Sequence, residues 1–115
     1  MEKDPQVFLR HILDSIEIVE RYSKGKRKSD FLQSLDLQDK IIRRLTIIGE
    51  AIRNIPEAIR SANADIPWKA IAGTRDKLIH EYFGVDLSLT WHVVKHDLPT
   101  LKKQITAMKK ILEEQ

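Results

Sequence analysis

Apolar residues recur along this chain at steps of three and four, the period of a helix packed on one side, and nowhere alternate long enough at period two to make a sheet. From Pro5 to about Lys24 the stripe is Phe8, Leu9, Ile12, Leu13, Ile16 and Val19, which predicts a long helix that Gly25 ends. After a basic loop, Ser29 is placed to cap a short turn around Phe31 and Leu32. Asp36 is placed to cap a second long helix, with Leu37, Ile41, Leu45, Ile48 and Ile52 on its buried face. Gly49 stands inside that helix, where it costs about 1 kcal/mol relative to alanine, so another backbone is expected to approach closely there.

Pro56 drives Ile55 towards an extended conformation and suits the first position of a short helix reaching about Ser61. Asn63 to Asp65 breaks the pattern. Pro67 restarts it, turning Trp68, Ile71 and Leu78 inward, with Gly73 as a kink and Gly84 as the stop. Asp86 is then the expected cap of the last long helix, whose stripe is Val94, Leu98, Leu101, Ile105, Met108 and Leu112. Pro99 either bends that helix or divides it. The fold class expected is all-α, an antiparallel helical bundle of three long helices and one or two short ones in a single domain over residues 1–115. The first and last stripes should supply most of the core. Trp68, Phe83 and Trp91 belong either to that core or to a dimer seam.

Length and composition narrow the chemistry. A chain of 115 residues buries enough surface to fold without a staple, and its lack of cysteine excludes disulfides, thiol catalysis and thiolate metal sites. Met1–Pro5 is charged and unlike a secretory signal, and no apolar run approaches the length of a membrane span, so a soluble cytoplasmic protein is expected. Twenty Lys plus Arg against seventeen Asp plus Glu gives +3, a mild excess that favours polyanions without identifying one. The densest basic run, Lys24 to Lys28, contains no aromatic ring for stacking bases and reads as a solvated loop tip.

The segment Gly73-Thr74-Arg75-Asp76-Lys77-Leu78-Ile79-His80-Glu81-Tyr82-Phe83-Gly84 concentrates the candidate chemistry. Arg75 supplies a permanent planar cation able to neutralise phosphoryl oxygens, and His80 a proton carrier working near neutral pH, the pair that phosphodiester cleavage requires. On a regular helix the five-residue step between them turns about 140°, so a kink, a helix end or a second chain must bring them together. Asp76, four residues before His80, can accept its imidazole proton and fix the tautomer, and Tyr82 returns to nearly the face of Arg75. Spacing alone would equally allow Arg75 to pair with Glu81 or Glu50, His80 to be a satisfied core histidine, Tyr82 to be a half-buried packing ring, and Glu50 to be an exposed helical glutamate.

The spacing Arg75-x4-His80-x-Tyr82 follows Pro67-Trp68-x-x-Ile71-Ala72-Gly73 and precedes Phe83-Gly84-Val85-Asp86. Ile48-Gly49-Glu50-Ala51 lies upstream, and Trp91 and Asp97-Leu98-Pro99 downstream. In this order the segments resemble the HepT toxins of the HEPN superfamily. The resemblance implies a metal-independent, cofactor-free, all-helical endoribonuclease acting on RNA as a homodimer, and a nucleotidyltransferase antitoxin that silences it by adding AMP to the motif tyrosine, here Tyr82. It also implies a bracing role for Glu50 beside Arg75. The alternative is a non-catalytic helical adaptor that dimerises and binds the nucleotidyltransferase.

Elsewhere the signals are sparse. His92 and His96, with Asp97 adjacent, have metal-ligand spacing on one helical face but no evident third ligand. No glycine-rich phosphate loop, zinc-protease helix or serine nucleophile elbow occurs.

Overall fold

The computed structural model describes residues 4–73 and 86–114. The described residues form an all-α antiparallel bundle. Its long members are α1 (Pro5–Ser23), α3 (Leu35–Arg53) and α7 (Leu98–Glu113); the short ones are α2 (Lys28–Gln33), α4 (Glu57–Ala62), α5 (residues 68–73) and α6 (Leu87–His92). Helix α6 runs into α7 through a π turn, Val93–Asp97.

The ends of these helices are set by local chemistry. Asp4 caps α1 by accepting the Gln6 N–H at 2.9 Å, and Gly25, at φ +71°, turns the chain away after Ser23. The turn expected around Phe31 is a full helix, and its cap is not Ser29: the carboxylate of Asp30 reaches back to accept the Arg27 N–H at 2.7 Å. Nor does Asp36 cap α3. Ser34 does, its hydroxyl accepting the Leu37 N–H at 3.1 Å, which leaves Asp36 in the first turn, 3.0 Å from Lys40. That contact raises the Lys40 pKa above its ordinary value, chiefly through the hydrogen bond to Asp36. Pro56 stands one residue before α4 rather than at its first position. Asp86 caps α6 as expected, accepting the Leu89 N–H at 3.0 Å.

Helix α1 packs chiefly on α3 and secondarily on α7. Its buried stripe is Leu9, Ile12, Ile16 and Val19, and that of α7 is Leu98, Leu101, Ile105 and Met108. Helix α3 adds a third broad stripe, where Ala51 joins Leu37, Ile41, Leu45, Ile48 and Ile52 in the interior. Gly49 is buried within the same stripe. With Trp91, Val93 and Val94 counted on the helical path that Asp86 caps, the first and last helices together supply eleven of the twenty-one buried apolar residues described, as the periodicity suggested.

Both tryptophans belong to this core, Trp68 being 7% and Trp91 8% exposed. Trp91 stacks on Phe31 with ring centroids 5.2 Å apart and an interplanar angle of 26°, joining α6 to α2. Such a pair adds about 0.5–1.5 kcal/mol beyond its buried area. The described tryptophans are therefore spent on intramolecular packing; Phe83 lies outside the described residues.

Pro99 resolves the choice between a bend and a break in a third way. It lacks an N–H, and its ring would crowd the carbonyl four residues back in a regular helix. One extra residue is accommodated just ahead of it: the Leu98 N–H bonds to the Val93 carbonyl, five residues back, and α7 begins with Pro99 in its first turn. The helical path continues, with its phase shifted.

Candidate active site

Arg75, Asp76, His80 and Tyr82 lie outside the described residues, as do Leu78, Phe83 and Gly84; the described structure defines the frame on either side of them. Upstream, the frame rests on Trp68. Its indole N–H is shared between the carbonyls of Arg60 and Asn63, both at 3.1 Å, so the ring ties the start of α5 to the end of α4. Ile66 is buried beside it, Asn63 closes α4 by donating its side-chain amide to the Ile59 carbonyl at 2.8 Å, and α5 continues to Gly73.

Downstream, the frame rests on Asp86. Besides the Leu89 N–H, the residue receives two bonds from Thr90 at its carbonyl, from the N–H at 2.9 Å and the hydroxyl at 3.0 Å. Thr90 is wholly buried and Trp91 follows it into the core. The segment carrying the candidate chemistry is thus anchored in sequence by a tryptophan at each side, five residues before Gly73 and five after Asp86.

Between the two anchors lies a cleft of about 480 Å³. Among the described residues, Leu45 and Ile48 of α3, Ile71 of α5, Leu89 of α6, Val93 and Leu98 give it an apolar lining, and Asp65, Asp97, Thr100 and Gln104 edge it. This lining can seat apolar side chains. It offers no cation and no imidazole, so a phosphoryl chemistry in this region depends on residues 75–82.

Glu50 is exposed on α3, and its carbonyl accepts the side-chain amide of Asn54 at 2.9 Å. It borders a shallow depression with Asp39, Ile42, Arg43, Thr46 and Ile47, a different face from the apolar lining of Leu45 and Ile48. His92 and His96 are both exposed, their rings 4.5 Å apart and tilted by 32°. Among the described residues no three potential ligands come together to hold a metal ion.

The model of the family described as "HepT-like: Ribonuclease HepT-like" matches residues 12–108, from the first turns of α1 to the last turns of α7. The chain belongs to this family. Its relatives include the "Gamma-glutamylcyclotransferase and putative RNase" of Methanocaldococcus jannaschii, 54% identical over 99% of this chain and 50% of the relative. A "Putative RNase" of Caldanaerobacter subterraneus subsp. tengcongensis is 42% identical over 98% of each chain. The "Probable ribonuclease HepT" of Thermococcus cleftensis is 40% identical over 96% of this chain and the full length of the relative. This HepT-like chain accordingly spans half the length of the first relative and nearly all of the other two. No solved structure matches it.

The family match covers Glu50, Arg75, Asp76, His80 and Tyr82 in one span. What the sequence did not reveal is a groove on the opposite side of the last helix, where α1 supplies Glu20, its C-cap supplies Lys24, and the π turn and α7 supply Lys95 and Lys102. These residues are more than seventy positions apart in the chain, and no local pattern marks their meeting. Among the described residues no helix is long and apolar enough to cross a membrane.

Proposed function

We propose that this HepT-like protein is a metal-independent endoribonuclease, the toxin of a pair whose antitoxin is a nucleotidyltransferase. The observation that carries the reading is Arg75-x4-His80-x-Tyr82 inside the family-matched span. In the proposed reaction the ribose 2′-hydroxyl attacks the adjacent phosphorus and the bond to the 5′-oxygen breaks, leaving a 2′,3′-cyclic phosphate and a 5′-hydroxyl. His80 moves the protons: one leaves the 2′-hydroxyl and one reaches the departing 5′-oxygen. Arg75 binds the phosphate and offsets the charge that builds on its oxygens. Asp76 orients the imidazole, and Glu50 braces the arginine.

A homodimer supplies what a regular helix withholds, since a two-fold axis through the motif brings two copies of Arg75 and His80 to one groove. Tyr82 borders that groove and receives AMP from the nucleotidyltransferase. The added phosphate places bulk and negative charge where the substrate phosphate would lie, opposing binding by sterics and repulsion.

Digestion of RNA followed by end-group analysis tests the chemistry. Cyclic phosphate ends should form with the parent protein and disappear with His80→Ala. If a folded, dimeric Arg75→Ala or His80→Ala protein cuts as fast as the parent, the assignment fails, and RNA left intact by the parent would favour a non-catalytic adaptor. Intact-mass analysis after co-expression with the nucleotidyltransferase tests the control: one AMP should map to Tyr82, and an unchanged mass or another site defeats it.

A further inference from the structure

We infer that the groove between the C-terminal half of α1 and the π turn with the first turns of α7 is a second contact surface for RNA, holding the phosphate backbone away from the motif segment. The identity of the polyanion rests on the ribonuclease reading; the surface itself rests on charge and geometry. The groove encloses about 900 Å³ and, among the described residues, is lined by five cations, Arg21, Lys24, Lys95, Lys102 and Lys103, against two carboxylates, Glu17 and Glu20. Its excess of three positive charges equals the net charge of the entire chain, +3, so the remaining charges balance. Positive charge is concentrated on this face.

Two of the lysines are held in place. Lys102 lies 3.0 Å from Glu20, which neutralises one of the carboxylates. Lys95 donates to the Ser23 carbonyl at 3.3 Å and sits 4.8 Å over the ring of Trp91. That carbonyl also accepts the Lys26 N–H at 3.0 Å, so the partial negative charge at the end of α1, which would repel an anion, is covered by an ammonium and a backbone donor. Lys24 and Lys103 are exposed, with no salt bridge to a described residue, and are available to a ligand.

Val94 and Pro99 also line the groove, and among the described residues no aromatic ring does, Trp91 being buried beneath Lys95. The chemistry suits a repeating phosphate backbone with apolar sugar faces, read without base stacking and hence without sequence preference. Val93, Asp97 and Leu101 line the apolar cleft on the other side of the same helical path, so this groove is separate from the frame of the motif. It should therefore help long RNAs and leave the shortest substrates unaffected.

The test compares the full-length parent with a Lys24→Glu/Lys103→Glu variant and a charge-keeping Lys24→Arg/Lys103→Arg variant. The probe is a long 2′-O-methyl single strand, which cannot be cleaved through its 2′-oxygen, and binding is read by fluorescence anisotropy over a range of salt. Charge reversal should weaken binding about tenfold or more and lower the magnitude of the salt slope by about 1.4, two contacts at roughly 0.7 each for a single strand. The arginine variant should bind like the parent. Cleavage of a dinucleotide should be the same in all three, while cleavage of a long RNA at limiting concentration should fall only in the reversed variant. Unchanged affinity and slope after reversal would overturn the proposal, as would parent binding of poly-glutamate as tight as that of the RNA, which would assign the groove to an acidic protein. Failure of the ribonuclease reading shows separately, as unimpaired cleavage by His80→Ala, and leaves the binding comparison to decide the groove.

Discussion

The last helical path presents two unlike sides. Towards α3 and α5, Val93, Leu98 and Leu101 close an apolar cleft beside the anchors of the motif segment; towards α1, Lys95, Lys102 and Lys103 face a basic groove. One helix thus separates a side suited to packing from one suited to anions, and neighbours in sequence, Leu101 and Lys102, fall on opposite sides of the division. Function need not crowd into one place on so small a fold. The cleft side lies beside the segment proposed to carry the chemistry, and the groove side is the surface proposed to hold substrate.

The sharpest way to break this comparison is at the motif. His80→Ala should lower RNA cleavage by about 10²–10⁴-fold, the usual worth of a positioned proton carrier, with circular dichroism unchanged. A much smaller loss would move the chemistry off this segment. On the packing side, Leu101→Ala should cost about 2–5 kcal/mol in denaturant unfolding, because the side chain is 1% exposed and its cavity cannot fill. Ser34→Ala should cost about 1 kcal/mol by removing the cap of α3, whereas Asp36→Ala should cost clearly less; equal losses would restore Asp36 as the cap. At the small end, Lys103→Ala should leave stability within about 0.5 kcal/mol of the parent, as expected of an exposed charge outside any packed contact. A large loss there would mean that the groove is structural.

The three long stripes were legible because each is a local pattern: Ile12, Ile41 and Ile105 are buried where the helical period puts them. Capping was legible only in part. Asp86 stands alone before its helix, whereas Ser34 and Asp36 compete within two residues, and the winner depends on how the chain leaves α2. Pro99 announced an irregularity without revealing its form, since a π turn, a kink and a break all satisfy a proline that lacks its donor. The destinations of the tryptophans and the groove pairing of Lys102 with Glu20 depend on contacts distant in sequence, which periodicity does not encode. The candidate chemistry at Arg75 and His80 was legible as residue types at a spacing, and the described structure adds the anchors at Trp68 and Asp86 on either side.

The extra residue in the π turn also sets an azimuth. An inserted residue rotates everything before it by roughly 100° about the helix axis relative to an uninterrupted helix, so Thr90, Trp91 and the Asp86 cap take their bearing from Val93–Asp97. Excising a single residue there would wind the path back to an ordinary helix and swing the wholly enclosed Thr90 out of the interior. The same rotation would redirect Asp86, the first described residue after the motif, so a one-codon deletion more than ten positions downstream of His80 would re-aim the attachment of the candidate segment without touching it.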